Sequence, residues 1–388
     1  MKILIINRAL GTLIGGGETT DLNAARYLIQ RGHDVTLITG RPLFGDPKNI
    51  FDNLPVVYVK TPGLRKYAYQ LEHFSMQLSA AFYNLDSTLF ELAVLRWMRK
   101  QRSRSFDVVQ LCSLFYLPFR LLSEFNCPCI SWLPGPPSRL AKRRILALVN
   151  DSRFALFTRG APESALIEMG LKKGVEYEIL EPGVDFAEID PVINSPLGDE
   201  RQLLGLRESD LVGITSARLV PVKNHAFLLK AIAMAKKKGV IWNWIFAGDG
   251  PLGSELKSQA RALGIEGQIH WLGYRGKTDV YELLKSSNLF ALTSTYENYS
   301  NAVLEAMAFS IPVIGTKVGF LQHMIAASQA GIVVLSNNTE QLADALVKMS
   351  DPRVRGQYGL SGRAYAECHD WSGIALKLEN LYKKVQIL

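Results

Sequence analysis

The sequence predicts an α/β protein built from two doubly wound, Rossmann-like domains. Residues 2–39 show the pattern of strand, glycine-bearing loop, helix and strand, and from residue 211 onward apolar runs again alternate with helical segments. This alternation is typical of parallel sheets that are covered by helices on both faces. The length of 388 residues is too great for one ordinary hydrophobic core and fits two domains.

The first strand–helix–strand unit begins at the second residue. The apolar run 2–7 predicts a buried strand, residues 18–31 have helical spacing, and residues 35–39 predict a second strand. A nicotinamide dinucleotide would need an acidic residue after that second strand to bind its ribose. Gly40 and Arg41 follow instead. This sequence disfavours NAD, although the arginine leaves an NADP-dependent oxidoreductase as an alternative.

The middle of the first half is rich in aromatic and basic residues. Residues 65–104 have helical spacing, and a second basic cluster at residues 139–144 follows the turn 134–137. The first segment ends with the cations Arg96, Arg99, Lys100, Arg102 and Arg104 and no acid. A basic, aromatic helix can lie on an anionic membrane, where each cation contributes about 1 kcal/mol. The alternative is a pair of ordinary helices that cover the sheet and have a solvated end.

Charge and cysteine content limit the partners and the compartment. The net charge of +8 is compatible with nucleic acid, an anionic membrane or phosphorylated substrates, but the excess is shared by both halves, and we expect no nucleic-acid partner. The cysteines, which we expect to be reduced and buried, have neither zinc-ligand nor CxxC spacing and are Cys112, Cys127, Cys129 and Cys368. Because no apolar run reaches about 18 residues, we expect a cytoplasmic protein with any membrane association at the inner surface.

Further strands and helices follow from the same patterns. In the first half, the predicted strands are residues 107–111, 128–133 and 154–158. In the second half, the predicted strands are residues 211–216, 242–247, 268–272 and 289–292, and the predicted helices are residues 225–238, 252–263, 278–286 and 302–308. Pro191, Pro196 and Gly198 predict a linker between the two domains.

The candidate site is centred on two glutamates. Glu297 follows the strand 289–292, and Glu305 lies inside the helix 302–308. In an open parallel sheet, such a loop lies outside the carboxyl end of the strand, where ligands bind. The residues expected to present backbone N–H groups there are Tyr299, Ser300, Asn301 and Ala302. The start of a helix suits an anionic or hydroxyl-rich ligand such as a sugar nucleotide.

These motifs resemble the donor site of retaining glycosyltransferases of the GT-B fold, family four. Glu297, the Leu-Glu-Ala-Met element 304–307 and the Ile-Pro-Val-Ile strand 311–314 match the family pattern, whereas residues 298–300 replace its Gly-Phe-Gly-like turn. Residues 217–224 (ARLVPVKN) resemble the Gly-Arg-Leu-x-x-x-Lys-Gly element of the family. Its two cations hold the donor diphosphate, and the equivalent residues here are Arg218 and Lys223.

The resemblance covers nearly the whole chain and implies further donor-binding residues. Gly16 and Gly17 match a glycine segment that faces the donor phosphates, Gly248 matches a family turn, and Tyr274 matches a position beside the nucleotide base. In the GT-B fold, two Rossmann-like domains face each other across a cleft. The implied division is an acceptor-side domain at residues 1–190, a donor domain at residues 191–370, and a helix at residues 371–388 that crosses back onto the first domain.

The function implied by the resemblance is transfer of a hexose, with retention, from a UDP- or GDP-linked sugar to an acceptor hydroxyl. The acceptor would be a glycan, a lipid-linked sugar or a small molecule, in glycan, glycolipid or cell-surface polysaccharide synthesis. Arg218 and Lys223 would stabilise the departing diphosphate, Glu305 would bind the ribose, and Glu297 would bind the hexose. The chain has no Asp-x-Asp motif, and we expect neither a metal nor a cofactor.

Two further alternatives remain, and no histidine is assigned a role. A retaining hydrolase would need paired carboxylates around the scissile bond, but one glutamate is assigned to the nucleotide. A non-catalytic module that binds nucleotide sugars, a degenerate transferase, is compatible with the altered turn at residues 298–300. The histidines, which we expect at the surface or in packing, are His33, His73, His225, His270, His323 and His369.

Overall fold

The computed structural model describes most of the second half of the chain and parts of the first half. The described residues are 1–10, 16–42, 51, 54–64, 67, 75–100, 105–112, 127–133, 154–158, 177–181, 183–196, 198–297 and 299–387. The basic cluster predicted at residues 139–144 and its turn at residues 134–137 lie outside the described residues, as do Arg102 and Arg104. The chain divides into two compact units, Met1–Pro182 with Trp371–Leu388, and Gly183–Asp370.

The first unit contains a seven-stranded parallel sheet. Its strands are β1 (Lys2–Asn7), β2 (Asp34–Pro42), β3 (Val56–Thr61), β4 (Val108–Cys112), β5 (Cys129–Leu133), β6 (Phe154–Thr158) and β7 (Tyr177–Ile179). The spatial order is β3-β2-β1-β4-β5-β6-β7, and every neighbouring pair is parallel. The order reverses between β1 and β4, which is the doubly wound arrangement that the sequence predicts.

Helices cover both faces of this sheet. Helix α1 (Gly16–Gln30) lies between β1 and β2 in the chain, and α2 (Met76–Lys100) lies between β3 and β4. Alternate residues of β1 point to opposite faces. Ile3 and Ile5 pack in a cluster with residues of α1, whereas Leu4 and Ile6 pack with residues of α2. Because β1 is buried on both faces, its sequence is continuously apolar.

The second unit contains a six-stranded parallel sheet with the same winding. Its elements are α3 (Phe186–Asn194), α4 (Glu200–Leu203), β8 (Leu211–Ser216), α5 (His225–Lys237), β9 (Trp242–Ala247), α6 (Gly253–Ala262), β10 (Ile269–Gly273), α7 (Lys277–Lys285), β11 (Leu289–Leu292), α8 (Asn301–Ala308), β12 (Val313–Thr316), α9 (Leu321–Ser328), β13 (Gly331–Val334), α10 (Thr339–Lys348) and α11 (Pro352–Glu367). The strand order is β10-β9-β8-β11-β12-β13. The strands and helices predicted for the second half are thus confirmed within a residue or two at their ends.

One segment that the sequence predicts as linker is helical. Pro191 lies inside α3, and the second unit begins before this helix, at Gly183. Ile189 is fully buried in the core of the second unit, and Phe186 and Ile193 pack against the same core. Apolar residues at this helical spacing attach α3 to the second unit. The proline therefore does not end the helix here.

The last helix of the chain packs on the first unit. Helix α12 (Trp371–Ile387) buries Trp371 and Tyr382 in the cluster that also contains residues of α1. Arg31 Nε lies 2.6 Å from Glu379 Oε2, and the Tyr382 hydroxyl donates to the buried side chain of Gln110. These contacts join the C-terminal segment to the first sheet.

The cysteines differ from expectation at two positions. None of the four forms a disulfide; Cys112 and Cys129 are buried, but Cys127 is half-buried and Cys368 is exposed at the C-terminal cap of α11. Among the helices of the described residues, none has both the length and the apolar character needed to cross a membrane.

Candidate functional site

The two main site motifs predicted in the second half of the chain lie at the carboxyl ends of β8 and β11. The order of the second sheet reverses between these two strands, which pair in parallel. The loops that leave such a switch point run to opposite sides of the sheet and leave a crevice between them. Residues 217–224 follow β8, and residues 293–300 follow β11. Both predicted motifs therefore lie at the place where this fold binds ligands.

Hydrogen bonds tie the two loops together. The Thr295 N–H donates to the Val222 carbonyl at 2.8 Å, and Thr293 Oγ1 donates to the carbonyls of Lys223 and Asn224, each at 3.2 Å. Asn224 has a left-handed φ of 49°, a conformation in which asparagine is enriched. The backbone that carries Lys223 is thereby fixed against the loop that follows β11.

Lys223 and Glu297 form an ion pair between the two loops. Lys223 Nζ lies 2.5 Å from Glu297 Oε2, and the Ser294 hydroxyl donates to the same oxygen at 3.2 Å. The exposed fractions of the two charged side chains are 20% and 14%. A partly buried pair of this kind is less screened by salt than a surface pair. It places one cation and one carboxylate side by side at the switch point.

A glycine that the sequence analysis does not single out fixes the backbone of Glu297. Gly319 has a φ of +46°, and a Cβ atom at this position would come within 1.9 Å of the Glu297 carbonyl oxygen. The Phe320 N–H donates to the same carbonyl at 3.3 Å. Any side chain at position 319 would displace the loop that carries Glu297. The residues are far apart in the chain, so no local pattern could have identified this contact.

His225 supports Arg218 from inside the unit. Its Nε2 lies 2.9 Å from the Arg218 carbonyl oxygen, and because a carbonyl only accepts, the ring carries its proton on this nitrogen. His225 is 1% exposed. Burial lowers its pKa, against the hydrogen bond to Arg218, so the ring is neutral near pH 7. The sequence analysis expects His225 at the surface or in packing, and its burial agrees with packing, but the hydrogen bond to Arg218 was not predicted. The only sequence signal for this bond is that His225 directly follows Lys223 and Asn224 of the predicted site.

Two glycines allow the loop after β9 to approach the Arg218 loop closely. A Cβ atom at Gly248 would lie 2.0 Å from the Ala217 carbonyl oxygen, and one at Gly250 would lie 2.3 Å from the Leu219 carbonyl oxygen. The Leu219 N–H donates to the Asp249 carbonyl at 2.9 Å. Gly248, a predicted donor-binding residue, therefore lies directly behind the residues that flank Arg218.

Tyr274 lies beside this same turn. Its backbone N–H donates to Asp249 Oδ2 at 3.1 Å, and its side chain is 54% exposed. Gly273 before it has a φ of +69°, which an L side chain rarely adopts. The aromatic ring of Tyr274 is thus accessible at the end of β10, on the side of the sheet where β8 and β9 also end.

The start of α8 uses its predicted ligand-binding residues in two ways. Ser300 is the N-cap, and its hydroxyl accepts the Val303 N–H at 3.4 Å. The Tyr299 ring stacks on Phe320 at a centroid distance of 5.5 Å, so it also packs against the core of the unit. Asn301 and Ala302 form the first turn and are half-buried. The first turn of α8 follows directly on the loop that contains Glu297.

Glu305 lies one turn further along α8 in an environment that disfavours its charge. Burial raises its pKa to about 7; Lys277 opposes this shift, and Glu188 adds to it. Lys277 is itself paired with Glu188. The side chain keeps part of its accessible surface. Within the described part of the chain, no hydrogen bond or ion pair reaches the Glu305 carboxyl group, which is therefore available to a ligand.

The remaining predicted donor-binding residues are two glycines of the first unit. Gly16 and Gly17 form the first turn of α1, after β1, and thus belong to the other unit. Among the described residues, no group of three or more His, Cys, Asp or Glu side chains is arranged to hold a metal ion.

Comparison with known proteins confirms the resemblance to glycosyltransferases. Residues 198–358 match the family model described as "Glycosyl transferases group 1". EpsF of Bacillus subtilis, named as a glycosyltransferase, is 31% identical over 170 residues, which are 44% of this chain and 41% of EpsF. A UDP-Gal:alpha-D-GlcNAc-diphosphoundecaprenol alpha-1,3-galactosyltransferase of Escherichia coli is 27% identical over 46% of each chain. The matches span less than half the length of these two curated relatives.

Other similarities extend over the whole chain. A D-inositol 3-phosphate glycosyltransferase of Corynebacterium urealyticum is 26% identical over 96% of this chain and 91% of its own. The structure of a sucrose-phosphate synthase from Thermosynechococcus elongatus is similar with a TM-score of 0.81 and 17% identity, over 99% of this chain and 98% of its own. HepE of Anabaena in complex with UDP and glucose has a TM-score of 0.76 and 19% identity, over 99% and 100% of the two chains. These structural similarities confirm the GT-B fold.

Proposed function

We propose that this chain, whose residues 198–358 match the group 1 glycosyl transferases, is a retaining hexosyltransferase of glycosyltransferase family four. It would transfer a hexose from a nucleoside-diphosphate sugar to an acceptor hydroxyl. In the same proposal, residues 191–370 bind the donor, and residues 1–190 form the acceptor side.

The observation that carries the proposal is the meeting of Lys223 and Glu297 at the switch point of the second sheet, with Lys223 Nζ 2.5 Å from Glu297 Oε2. Breaking the sugar–phosphate bond places negative charge on the leaving diphosphate, and fixed cations stabilise that charge. Lys223 and Arg218 follow the same strand and suit this role. Glu297, already held beside Lys223, suits the hydroxyl groups of the hexose that is attached to the diphosphate.

Glu305 suits the ribose of the nucleotide. Its carboxyl group has no hydrogen-bond partner among the described residues, and burial raises its pKa to about 7. A pair of ribose hydroxyls would supply the hydrogen bonds that a desolvated carboxylate lacks. The first turn of α8 precedes it and offers backbone N–H groups to the diphosphate.

The donor and the acceptor are proposed as classes. A UDP- or GDP-linked sugar fits the proposed roles, and the name of the Escherichia coli relative, a galactosyltransferase that uses UDP-Gal, supports UDP. That relative is also named for a lipid diphosphate acceptor, which supports a lipid-linked acceptor at the inner membrane surface as well as a glycan or a small molecule. Polysaccharide or glycolipid synthesis would be the corresponding process.

A donor panel with mass-spectrometric product analysis tests the proposal. We expect one nucleotide sugar to yield a glycosylated acceptor and free nucleotide, with the anomeric configuration of the donor retained in the NMR spectrum of the product. Because Lys223 and Arg218 replace a metal in this proposal, turnover should continue in excess EDTA. Donor binding without nucleotide release in the presence of any acceptor would identify a non-catalytic binding module instead. An inverted product would contradict the retaining mechanism.

A further inference from the structure

The outer face of α2 in the first unit carries leucines where a helix that faces solvent usually carries polar residues. Leu78, Leu85, Leu89 and Leu92 have exposed fractions of 46%, 51%, 37% and 52%. Their spacing corresponds to whole turns, so they form one line along the helix. We refer to these four residues as the leucine line.

The leucine line is not part of the hydrophobic core of the first unit. The opposite side of α2 already covers the sheet, where Phe90, Val94 and Leu95 are buried in a cluster with Leu4 and Ile6 of β1. Single exposed leucines are common on protein surfaces, but a continuous exposed apolar row indicates an interaction surface. The question is therefore which partner covers it.

The charges of α2 are distributed in an unusual way. Its two acids, Asp86 and Glu91, face inward with exposed fractions of 3% and 2%. Arg96, Arg99 and Lys100 are exposed and continue the leucine line at its C-terminal end. The exposed face of the helix thus combines leucines with cations and carries no acid.

We infer that the leucine line docks this protein on an anionic lipid surface, with α2 lying in the plane of the interface. The leucines would enter the boundary of the acyl chains, and Arg96 and Lys100 would contact lipid phosphates. The cations complement the charge of that surface, and the inward position of Asp86 and Glu91 removes the repulsion that acids would cause. This inference rests on the proposed function only in taking a membrane as the partner. It adds which surface of the protein contacts that membrane.

A second copy of the chain is a poorer partner for this face. Four half-exposed leucines can bury on the order of 200 Å², whereas a stable protein interface buries about 800 Å² on each side. A parallel pair of α2 helices would also bring Arg96 and Lys100 of both copies together without acids to balance them. A lipid surface needs no such area, because charge and apolar insertion act together.

Sedimentation with vesicles tests the inference. The full chain should bind phosphatidylglycerol–phosphatidylcholine vesicles at low salt and should not bind pure phosphatidylcholine vesicles. Leu85→Asn with Leu92→Asn should lower the partition coefficient by about ten- to thirtyfold. Arg96→Gln with Lys100→Gln should lower it by about tenfold at low salt and by much less at high salt, because salt screens the cations.

A matched control is available in the second unit. Leu203 and Leu360 are exposed by 82% and 72%, and changing both to Asn should leave vesicle binding unchanged. If the asparagine variant of the leucine line is unstable, Leu85→Ala with Leu92→Ala keeps the helix propensity and should still lower binding several-fold. Vesicle binding at the wild-type level by either leucine variant would overturn the inference, and so would absence of vesicle binding by the wild-type chain. A wild-type dimer that is lost in the leucine variant would also overturn it, because a second copy of the chain would then cover the leucine line.

Calorimetry on the same samples separates this inference from the proposed function. The leucine variants should bind a nucleotide sugar as the wild-type chain does, because α2 belongs to the other unit. Normal nucleotide binding without vesicle binding would overturn only the docking surface. Vesicle binding without any nucleotide binding would contradict the proposed transferase and leave the docking surface in place.

Discussion

The two units share the order of their first six strands, but different chemistry follows the first strand of each sheet. In the first unit, Arg8 follows β1, bonds to Ser87 and lies 3.8 Å from Asp86, both in α2, and the charged side chains of Arg8 and Asp86 are 7% and 4% exposed. In the second unit, Lys223 lies in the loop after β8 and pairs with Glu297 of another loop, at 20% and 14% exposure. The position at the end of a strand therefore does not by itself make a binding residue.

What differs is the origin of the counter-charge. A covering helix supplies the acid for Arg8, so the pair is enclosed between helix and sheet. Loops supply both members of the Lys223 pair, and the pair keeps an accessible side. We infer that the first pair stabilises its unit and that the second serves a ligand, and the following substitutions test this difference.

The largest expected effect is on the stability of the first unit. Arg8→Met should lower its free energy of unfolding by about 3 kcal/mol, because it leaves Asp86 buried without its cation. Lys223→Met should lower the stability of the second unit by only about 1 kcal/mol, because Glu297 stays partly accessible to water. Urea denaturation followed for each unit by hydrogen exchange measures both values. Equal losses for the two variants would remove the distinction between the pairs.

The next effect concerns catalysis by the second pair. Lys223→Ala should lower kcat/KM by about ten- to a hundredfold, because the diphosphate loses one charge-assisted contact. Lys238 provides a control, since its ion pair with Asp344 lies on the surface of the same unit. Lys238→Ala should have wild-type kinetics. Wild-type kinetics in Lys223→Ala as well would show that this lysine does not serve the diphosphate.

A smaller effect is expected from the histidine behind Arg218. His225→Phe should keep the packing but remove the donor to the Arg218 carbonyl, and we expect a loss of about tenfold in kcat/KM, the equivalent of one neutral hydrogen bond. His225→Gln can restore a donor and should recover part of the loss. If the phenylalanine variant were as active as wild type, the bond would serve packing alone.

The smallest effect is a pH dependence of donor binding through Glu305, whose pKa is raised to about 7. A ribose hydroxyl donates better to the ionised carboxylate, so affinity for a nucleotide sugar should rise about five- to tenfold between pH 6 and pH 8. Glu305→Gln should abolish this rise. A nucleotide sugar is the suitable ligand because its diphosphate does not titrate in this range. A rise of the same size in Glu305→Gln would assign the dependence to another group.

The raised pKa of Glu305 also affects stability, which should change with pH in the opposite direction to donor affinity. The folded protein holds the Glu305 proton more tightly than the unfolded chain, because the pKa of Glu305 is raised from 4.5 to about 7. The contribution of this group to stability therefore decreases as pH rises from about 4.5 to 7. Glu305→Gln should accordingly be more stable than wild type at pH 8 and no more stable at pH 4. Thermal melts at the two pH values measure the difference.

Much of the second unit could be predicted because its local signals agree with its packing. The apolar strands, the helix ends, the loops that carry Arg218, Lys223 and Glu297, and the helix that carries Glu305 follow from periodicity and from motif spacing. The resemblance supplied the proposed roles of these residues. The ion pair between Lys223 and Glu297, by contrast, depends on two strands becoming neighbours, which no local pattern encodes.

Other features could not be predicted from the sequence, because they also depend on contacts between distant parts of the chain. The close approach of Gly319 to Glu297 and the bond from His225 to Arg218 join parts of the chain that meet only in the fold. The helical pattern of α2 was visible, but which of its faces is buried depends on the sheet beneath it. Pro191 suggested a linker, and only the core that receives Ile189 shows why this segment is a helix.

The most direct test of the account is titration calorimetry of the free nucleotide diphosphate with Glu305→Ala and Glu297→Ala. Glu305→Ala should weaken binding by about ten- to a hundredfold, because the ribose loses its charged acceptor even when no sugar is attached. Glu297→Ala should leave the affinity unchanged or slightly increase it, because its proposed partner is the hexose and because Lys223 is released from the ion pair. Equal losses of nucleotide affinity in the two variants would contradict the separate roles of the glutamates and, with them, the proposed donor site.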